Sequence, residues 1–269
     1  MSNKFGGAWT EAKLEILKDY LNFYLTALKN QKFKKVYIDC FAGSGKISLS
    51  EEVTIDGSTK MVLDLDNKFD EYYFIEKDND NYTKLEMLKA KYPELKINVY
   101  KGDCNSILPN VLNSINWKYT RGVVFIDPYA TGLSYDTLKL VANTKSVDVW
   151  YLFPIMAINR MLEKTKKIDN SWKETLNNCF GTEDWEQELY NVSKQMNIFE
   201  NTEYERVTLS DIQDYIYARM KTIFPYVSDK YIKLKNSKNS PLFLLFLLVS
   251  NTNAIGLVKK VENYILKQK

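Results

Sequence analysis

Apolar residues recur along this chain in two alternating rhythms. Leu14, Leu17, Leu21, Tyr24, Leu25 and Leu28 follow helical spacing and predict a helix over 10–29, with Thr10 as its N-cap. Short β-rich runs then punctuate the next 120 residues. They predict strands at 35–39, 71–76, 95–100, 122–127 and 147–153. Between them fall helical patterns at 79–91 (stopped by Pro93), 105–114, and 134–143 beginning at Ser134. A βαβα alternation of this kind predicts a mainly parallel sheet with helices on both faces.

The rhythm breaks twice. Residues 50–70 read as an insertion, with a turn at Asp56-Gly57-Ser58 and a short helix near 58–66. Residues 155–205 read as a polar helical insertion bearing Trp172 and Trp185. A helix at 209–223 restores the pattern. Tyr226–Leu234 and Pro241–Val249 then read as an antiparallel hairpin across a turn-rich loop, before a last helix at 254–267. Seven strands closed by such a hairpin are expected, in a single domain over 1–269 with no internal repeat.

Composition narrows the chemistry. The 269 residues contain no histidine, which excludes His-based triads, metal sites and general bases. The three cysteines, Cys40, Cys104 and Cys179, are widely spaced and lack a metal-type pairing, so no metal site is expected. Their number and spacing point to a reducing, cytoplasmic setting. The longest apolar run, Pro241 to Val249, is too short to span a bilayer. A net charge of +3 is compatible with nucleic-acid contact without requiring it.

The densest chemistry lies in Asp39-Cys40-Phe41-Ala42-Gly43-Ser44-Gly45, where a strand runs into a glycine turn. Gly43 and Gly45 allow positive φ and a close backbone approach, and a helix opening after Gly45 is expected to aim free N–H groups at a ligand. A phosphate-cradling loop is excluded: its first glycine falls on Cys40, and Ile47 stands where Ser or Thr is needed. The dinucleotide pattern lacks its third glycine, at Ser48. The D-x-F-A-G-x-G pattern resembles the cofactor loop of class I S-adenosylmethionine methyltransferases.

Further acids end successive strands. Glu76, followed by Lys77, is positioned to accept ribose hydroxyls, and Asp103 to accept an adenine amino group, with Cys104 as an apolar wall. Asp103 suits a helix N-cap equally well. Asp127-Pro128-Tyr129 is the candidate catalytic segment. It is similar to the Asp/Asn-Pro-Pro-Tyr/Phe motif of amino-methyltransferases, short of one proline. Asp127 would orient the nucleophile, with Tyr129 as a stacking wall. Asn159 and Arg160, after the fifth strand, are candidate substrate contacts.

Taken together, these segments resemble the three-Cys-motif partner (TcmP) proteins over almost the whole chain. The shared features are the helix with Thr10, Lys13 and Leu17, the 37–45 loop, Asp56-Gly57-Ser58, Phe74–Asp78, Gly102-Asp103-Cys104, Phe125–Tyr129, Leu152-Phe153-Pro154 with Asn159-Arg160, and Asn236-Ser237-Lys238. The resemblance implies a Rossmann-like class I methyltransferase fold in a bacterial protein. It also implies S-adenosylmethionine as cofactor, direct methyl transfer to nitrogen or oxygen, and a Cys-rich protein encoded nearby as partner. The acceptor is left unidentified, with nucleic acid and a partner protein as the two candidates. The alternative is a catalytically silent scaffold that retains the fold.

Overall fold

The computed structural model describes residues 8–48, 54–164, 166–192, 204–229, 231–236 and 238–267. The first helix, α1 (Ala8–Ala27), leads into β1 (Lys34–Asp39). Next come a small ribbon, β2 (Lys46–Ser48) with β3 (Thr54–Asp56), and α2 (Ser58–Leu63). Alternating units follow: β4 (Glu71–Glu76), α3 (Asn79–Lys89), β5 (Ile97–Lys101), α4 (Cys104–Ser114), β6 (Thr120–Ile126), α5 (Tyr135–Asn143) and β7 (Val147–Phe153).

After β7 come α6 (Ile155–Met161), α7 (Asn170–Phe180), α8 (Trp185–Glu188), and a ribbon of β8 (Tyr190–Val192) and β9 (Tyr204–Arg206). The chain ends with α9 (Leu209–Lys221), β10 (Tyr226–Val227), β11 (Ile232–Lys235), β12 (Pro241–Val249) and α10 (Ile255–Lys267).

The main sheet runs β10-β12-β7-β6-β1-β4-β5, with β11 also paired to β12. All pairs from β7 to β5 are parallel, and β12 enters antiparallel between β7 and β10. This is the Rossmann-like class I methyltransferase arrangement. The chain builds outward from β1 through β4 and β5, then returns to β6 on the other side of β1. Strand order therefore reverses between β1 and β6, and open α/β sheets place ligands at the carboxyl side of such a reversal.

Both faces of the sheet are covered. Leu17, Tyr20 and Leu21 of α1 and Val258 and Val261 of α10 pack on one face with Tyr37, Phe74 and Trp150. Leu108, Leu138, Ile158, Leu176 and Ile216 cover the other, over Ile38, Val124 and Phe153.

Four expectations need correction. No helix opens directly after Gly45: Lys46-Ile47-Ser48 pairs with Thr54–Asp56 instead, and among the described residues the next helix is α2, from Ser58. Thr10 is no N-cap, because α1 begins at Ala8 and carries Thr10 as a buried interior residue. The 155–205 insertion is not wholly helical, since β8 and β9 close it as a ribbon. The 226–234 edge strand is split into β10 and β11, which pair with separate stretches of β12. Thr165 and residues 193–203 of the insertion, 50–53 of the earlier one, Lys230 of the expected 226–234 strand and Ser237 of the hairpin loop lie outside the described residues.

Candidate functional site at the carboxyl rim

β1 brings Asp39 to the rim, and the chain then turns through Gly43 (φ 62°) and Gly45 (φ 77°). These left-handed conformations favour glycine. At Gly45 an added Cβ would stand 2.8 Å from the Leu88 side chain, whereas at Gly43 nothing lies within 4 Å. A Cβ at Gly45 would have to displace the tip of the Leu88 side chain, whereas Gly43 leaves open space above the turn.

The turn is bonded to the neighbouring strand end. The Ala42 N–H donates to the Ile75 carbonyl at 3.0 Å, and the Gly43 N–H donates to Glu76 Oε2 at 2.7 Å. The other Glu76 oxygen accepts from the Asp78 N–H at 2.7 Å. The glycine turn and the strand-end acid therefore form one unit. The sequence places them 33 positions apart; parallel pairing of β1 with β4 brings them together.

Asp39 plays a different part. It is fully buried and accepts from Ser58 Oγ at 2.6 Å and from the Phe41 N–H at 3.3 Å. Burial pushes its carboxyl up to about 7, while the two hydrogen bonds pull the other way. It ties α2 and the start of the turn to β1 from beneath. Phe41 and Ser44 are half-buried and Ala42 is buried.

Asp103 caps α4, accepting from the Asn105 N–H at 2.9 Å, and pairs with the exposed Lys77 at 3.1 Å. Partial burial pushes its carboxyl up, but Lys77 and the Asn105 N–H outweigh this and hold it below its ordinary value. Cys104 is 3% exposed and belongs to the core, so its thiol forms no wall for a ligand; Asp103 is the group left at the surface.

Across the strand reversal, Asp127 follows β6, one residue beyond its end. Its carboxylate is ion-paired with Lys13 of α1, whose ammonium is almost wholly buried and sits 5.4 Å from the Trp9 ring centroid and 6.0 Å from that of Phe125. Pro128 is buried, whereas Tyr129 is 82% exposed. Ala130 beyond it is left-handed (φ 54°). The Asn105 side chain fixes this loop, donating to the Gly132 carbonyl at 2.8 Å and accepting from the Ser134 N–H at 2.9 Å.

Lys13 and Asn105 therefore brace the candidate site in ways that strand-end reasoning misses. Lys13 carried a signal: it falls at helical spacing from Ile16, Leu17 and Tyr20, all buried, so a lysine sits on the apolar stripe. Asn105 carried none, because its partners are backbone groups about 30 residues away.

Asn159 and Arg160 fall on α6, which starts where β7 leaves the rim. The Asn159 carbonyl accepts from Arg206, and its side-chain oxygen is buried without a partner. Arg160 is exposed. Among the described residues, no His/Cys/Asp/Glu cluster that could hold a metal ion is found, and no helix is long and apolar enough to cross a membrane.

No protein-family model and no curated protein matches the chain. Solved structures do. Protein LPL1258 from Legionella pneumophila, described by the family model DUF519, covers 96% of this chain and 94% of its own at 14% identity, with a TM-score of 0.53. That likeness establishes the fold. A putative methyltransferase, yhhF from Escherichia coli, matches over 71% of this chain and 85% of its own at 15% identity (TM-score 0.34). A putative S-adenosylmethionine-dependent methyltransferase from Listeria monocytogenes matches over 86% and 97% at 9% identity (TM-score 0.37).

Proposed function

We propose that the chain is an S-adenosylmethionine-dependent methyltransferase that transfers a methyl group directly to a nitrogen or oxygen of its acceptor. The observation that carries this reading is the 2.7 Å bond joining the Gly43 N–H to Glu76, at the strand reversal that also holds Asp127. The residues suit an adenosyl group. Gly43 leaves open space, and the Glu76 carboxylate has acceptor capacity for ribose hydroxyls beyond its two backbone donors. Asp103 at the next strand end suits an adenine amino group.

The bound sulfonium supplies an intrinsically good leaving group, so the protein's task is alignment and exclusion of water. Lys13 holds one oxygen of Asp127. That fixes the carboxylate and leaves its other oxygen to accept a hydrogen bond from the acceptor N–H or O–H. The Pro128 carbonyl is a second acceptor, Tyr129 a stacking wall, and Arg160 a contact for an anionic part of the substrate. Asp39 and Cys104 serve this reading through the scaffold.

Membership of the three-Cys-motif partner proteins, a Cys-rich partner and a cytoplasmic location belong to the same proposal. They are supported by the motif residues Asp39–Gly45, Phe74–Asp78 and Phe125–Tyr129. A second reading, a silent scaffold, is favoured by the single proline after Asp127 and by the ion pair that already engages that acid.

The test is ligand linkage: saturating S-adenosylmethionine or S-adenosylhomocysteine raises the melting temperature and gives binding heat in a calorimeter. Absence of both overturns the cofactor assignment. Transfer of labelled methyl to nucleic acid or to the Cys-rich neighbour separates the enzyme from the scaffold.

A further inference from the structure

The chain's net charge is +3. The eight residues Arg160–Lys167 alone carry Arg160, Lys164, Lys166 and Lys167 against Glu163, which is also a net of +3. Among the described residues none of these four cations has an ion pair, whereas Lys13 and Lys77 at the rim are each paired with an acid. A bare lysine run is ordinarily a solvated face, but this one is built.

Arg206 on β9 crosses to it. One guanidinium nitrogen donates to the carbonyls of Asn159 at 2.7 Å and Leu162 at 2.6 Å, and the Arg206 N–H donates to the Lys164 carbonyl at 3.1 Å. Lys166 is held in the left-handed region (φ 62°), a conformation that persists only where the surroundings impose it. Its ammonium lies 4.4 Å from the Tyr204 ring centroid and 5.7 Å from that of Tyr190. Arg160, Lys164 and Lys167 stay exposed around it. The nearby acids Glu163, Asp169 and Glu205 leave the turn itself cationic.

Position gives the turn a purpose. α6 leaves the carboxyl rim beside Asp127's strand and carries the chain roughly 10 Å over its seven residues. A cationic turn reached from β7, with an exposed aromatic, Tyr129, on the loop after the adjacent strand β6, offers the two elements that bind single-stranded nucleic acid: backbone charges and a platform for a base.

We propose that Arg160, Lys164 and Lys167, on chain braced by Arg206 and by the tyrosine bracket around Lys166, form a phosphate-contacting surface for a single-stranded nucleic acid whose base is presented toward Tyr129 and Asp127. This rests on the methyltransferase reading for its second half, and on the turn alone for its first. Nucleic acid is favoured over an acidic protein because the exposed cations Arg160, Lys164 and Lys167 are spaced along the chain that leaves the rim, and the loop after the neighbouring strand carries an exposed ring.

The test is fluorescence anisotropy with 5′-fluorescein 20-nucleotide RNA and DNA of mixed sequence, over 50–200 mM KCl. Wild type is expected to bind with strong salt dependence. The triple variant R160Q/K164Q/K167Q is expected to reduce the log–log salt slope by about 2, at about 0.7 per lost phosphate contact on single strands, and to weaken binding at least tenfold at 100 mM. The control K29Q/K84Q/K91Q removes as many exposed charges elsewhere and keeps the wild-type slope. No binding by wild type, or equal losses in both triples, overturns the proposal, as does equal competition by poly-glutamate of matched charge. The S-adenosylhomocysteine melting shift is read on the same samples. Its absence alongside intact oligonucleotide binding defeats the cofactor reading and leaves this surface standing.

Discussion

Replacing Glu76 by Gln tests the unit on which the site is built. Both carboxylate oxygens accept backbone N–H donors at 2.7 Å, from Gly43 and Asp78. A glutamine amide has one acceptor oxygen, so its NH2 group must face one of those donors. One bond is lost and the other falls from charge-assisted to neutral strength. With about 1.5–3 kcal/mol for a bond to a charged group and about 1 for a neutral one, the turn loses at least about 2 kcal/mol of organisation. Loss of the charged acceptor for a ribose hydroxyl adds up to about 2 more. Titration calorimetry with S-adenosylhomocysteine should therefore show affinity reduced at least roughly 30-fold, at about 1.4 kcal/mol per tenfold. The melting temperature, followed in parallel, falls by only a few degrees. A folded E76Q protein that binds within threefold of wild type would refute the argument that Glu76 organises and contacts the cofactor.

Lys13→Met leaves Asp127 without its partner and should cost about 3 kcal/mol in urea unfolding; K13M/D127N should recover at least about 1 kcal/mol of that, and failure to recover it would show that the pair is uncoupled. Asp148, buried and accepting from Tyr20 Oη at 2.8 Å, has its carboxyl pushed up to about 7 by burial. Below pH 4 both folded and unfolded chains hold that proton; between 4 and 7 only the folded chain does, so stability falls as pH rises through this window and the loss is complete above 7. D148N should match wild type near pH 4 and be more stable at pH 8 by an amount bounded at roughly 4 kcal/mol, from about 1.4 kcal/mol per pH unit; parallel stability curves would refute the assignment. Gly45→Ala must relieve a 2.8 Å contact with Leu88 as well as a left-handed backbone, whereas Gly43→Ala meets only the backbone cost of about 1–2 kcal/mol. G45A should melt clearly below G43A, and equal melting temperatures would falsify the packing account.

The sheet was legible because its strands carry their burial in their composition. Val147–Phe153 is buried at every position and was delimited to the residue. The cap at Asp103 was equally readable, where a side chain meets a nearby N–H; Ser134, read as the first residue of its helix, is its N-cap. The ribbon β2–β3 was not, because its three-residue strands hold too little pattern to compete with the expectation of a helix after a glycine turn. The acids at strand ends were legible as a set, since a carboxylate closing an apolar run marks where a strand emerges. Their individual roles were not. Asp39 and Glu76 look alike in sequence, yet one is fully buried under α2 and the other is half-exposed at the rim. Burial of that kind is decided by which element folds over the strand end, here Ser58 from the next helix.

The four rim acids share a first task that orders their fitness for ligand contact. Each holds a loop: Asp39 through Ser58 and Phe41, Glu76 through Gly43 and Asp78, Asp103 through Asn105 and Lys77, and Asp127 through Lys13. A carboxylate can accept about four hydrogen bonds, so two loop contacts leave room for a ligand only where the oxygens reach solvent. Asp39 has no such access, and its replacement should act through folding alone. Glu76, Asp103 and Asp127 retain it. Because their donors come from the protein, these acids are oriented before any ligand arrives, and preorganised dipoles act without reorganisation during reaction. In a chain without histidine, methyl transfer suits such a rim, since it asks of the protein orientation rather than a strong base.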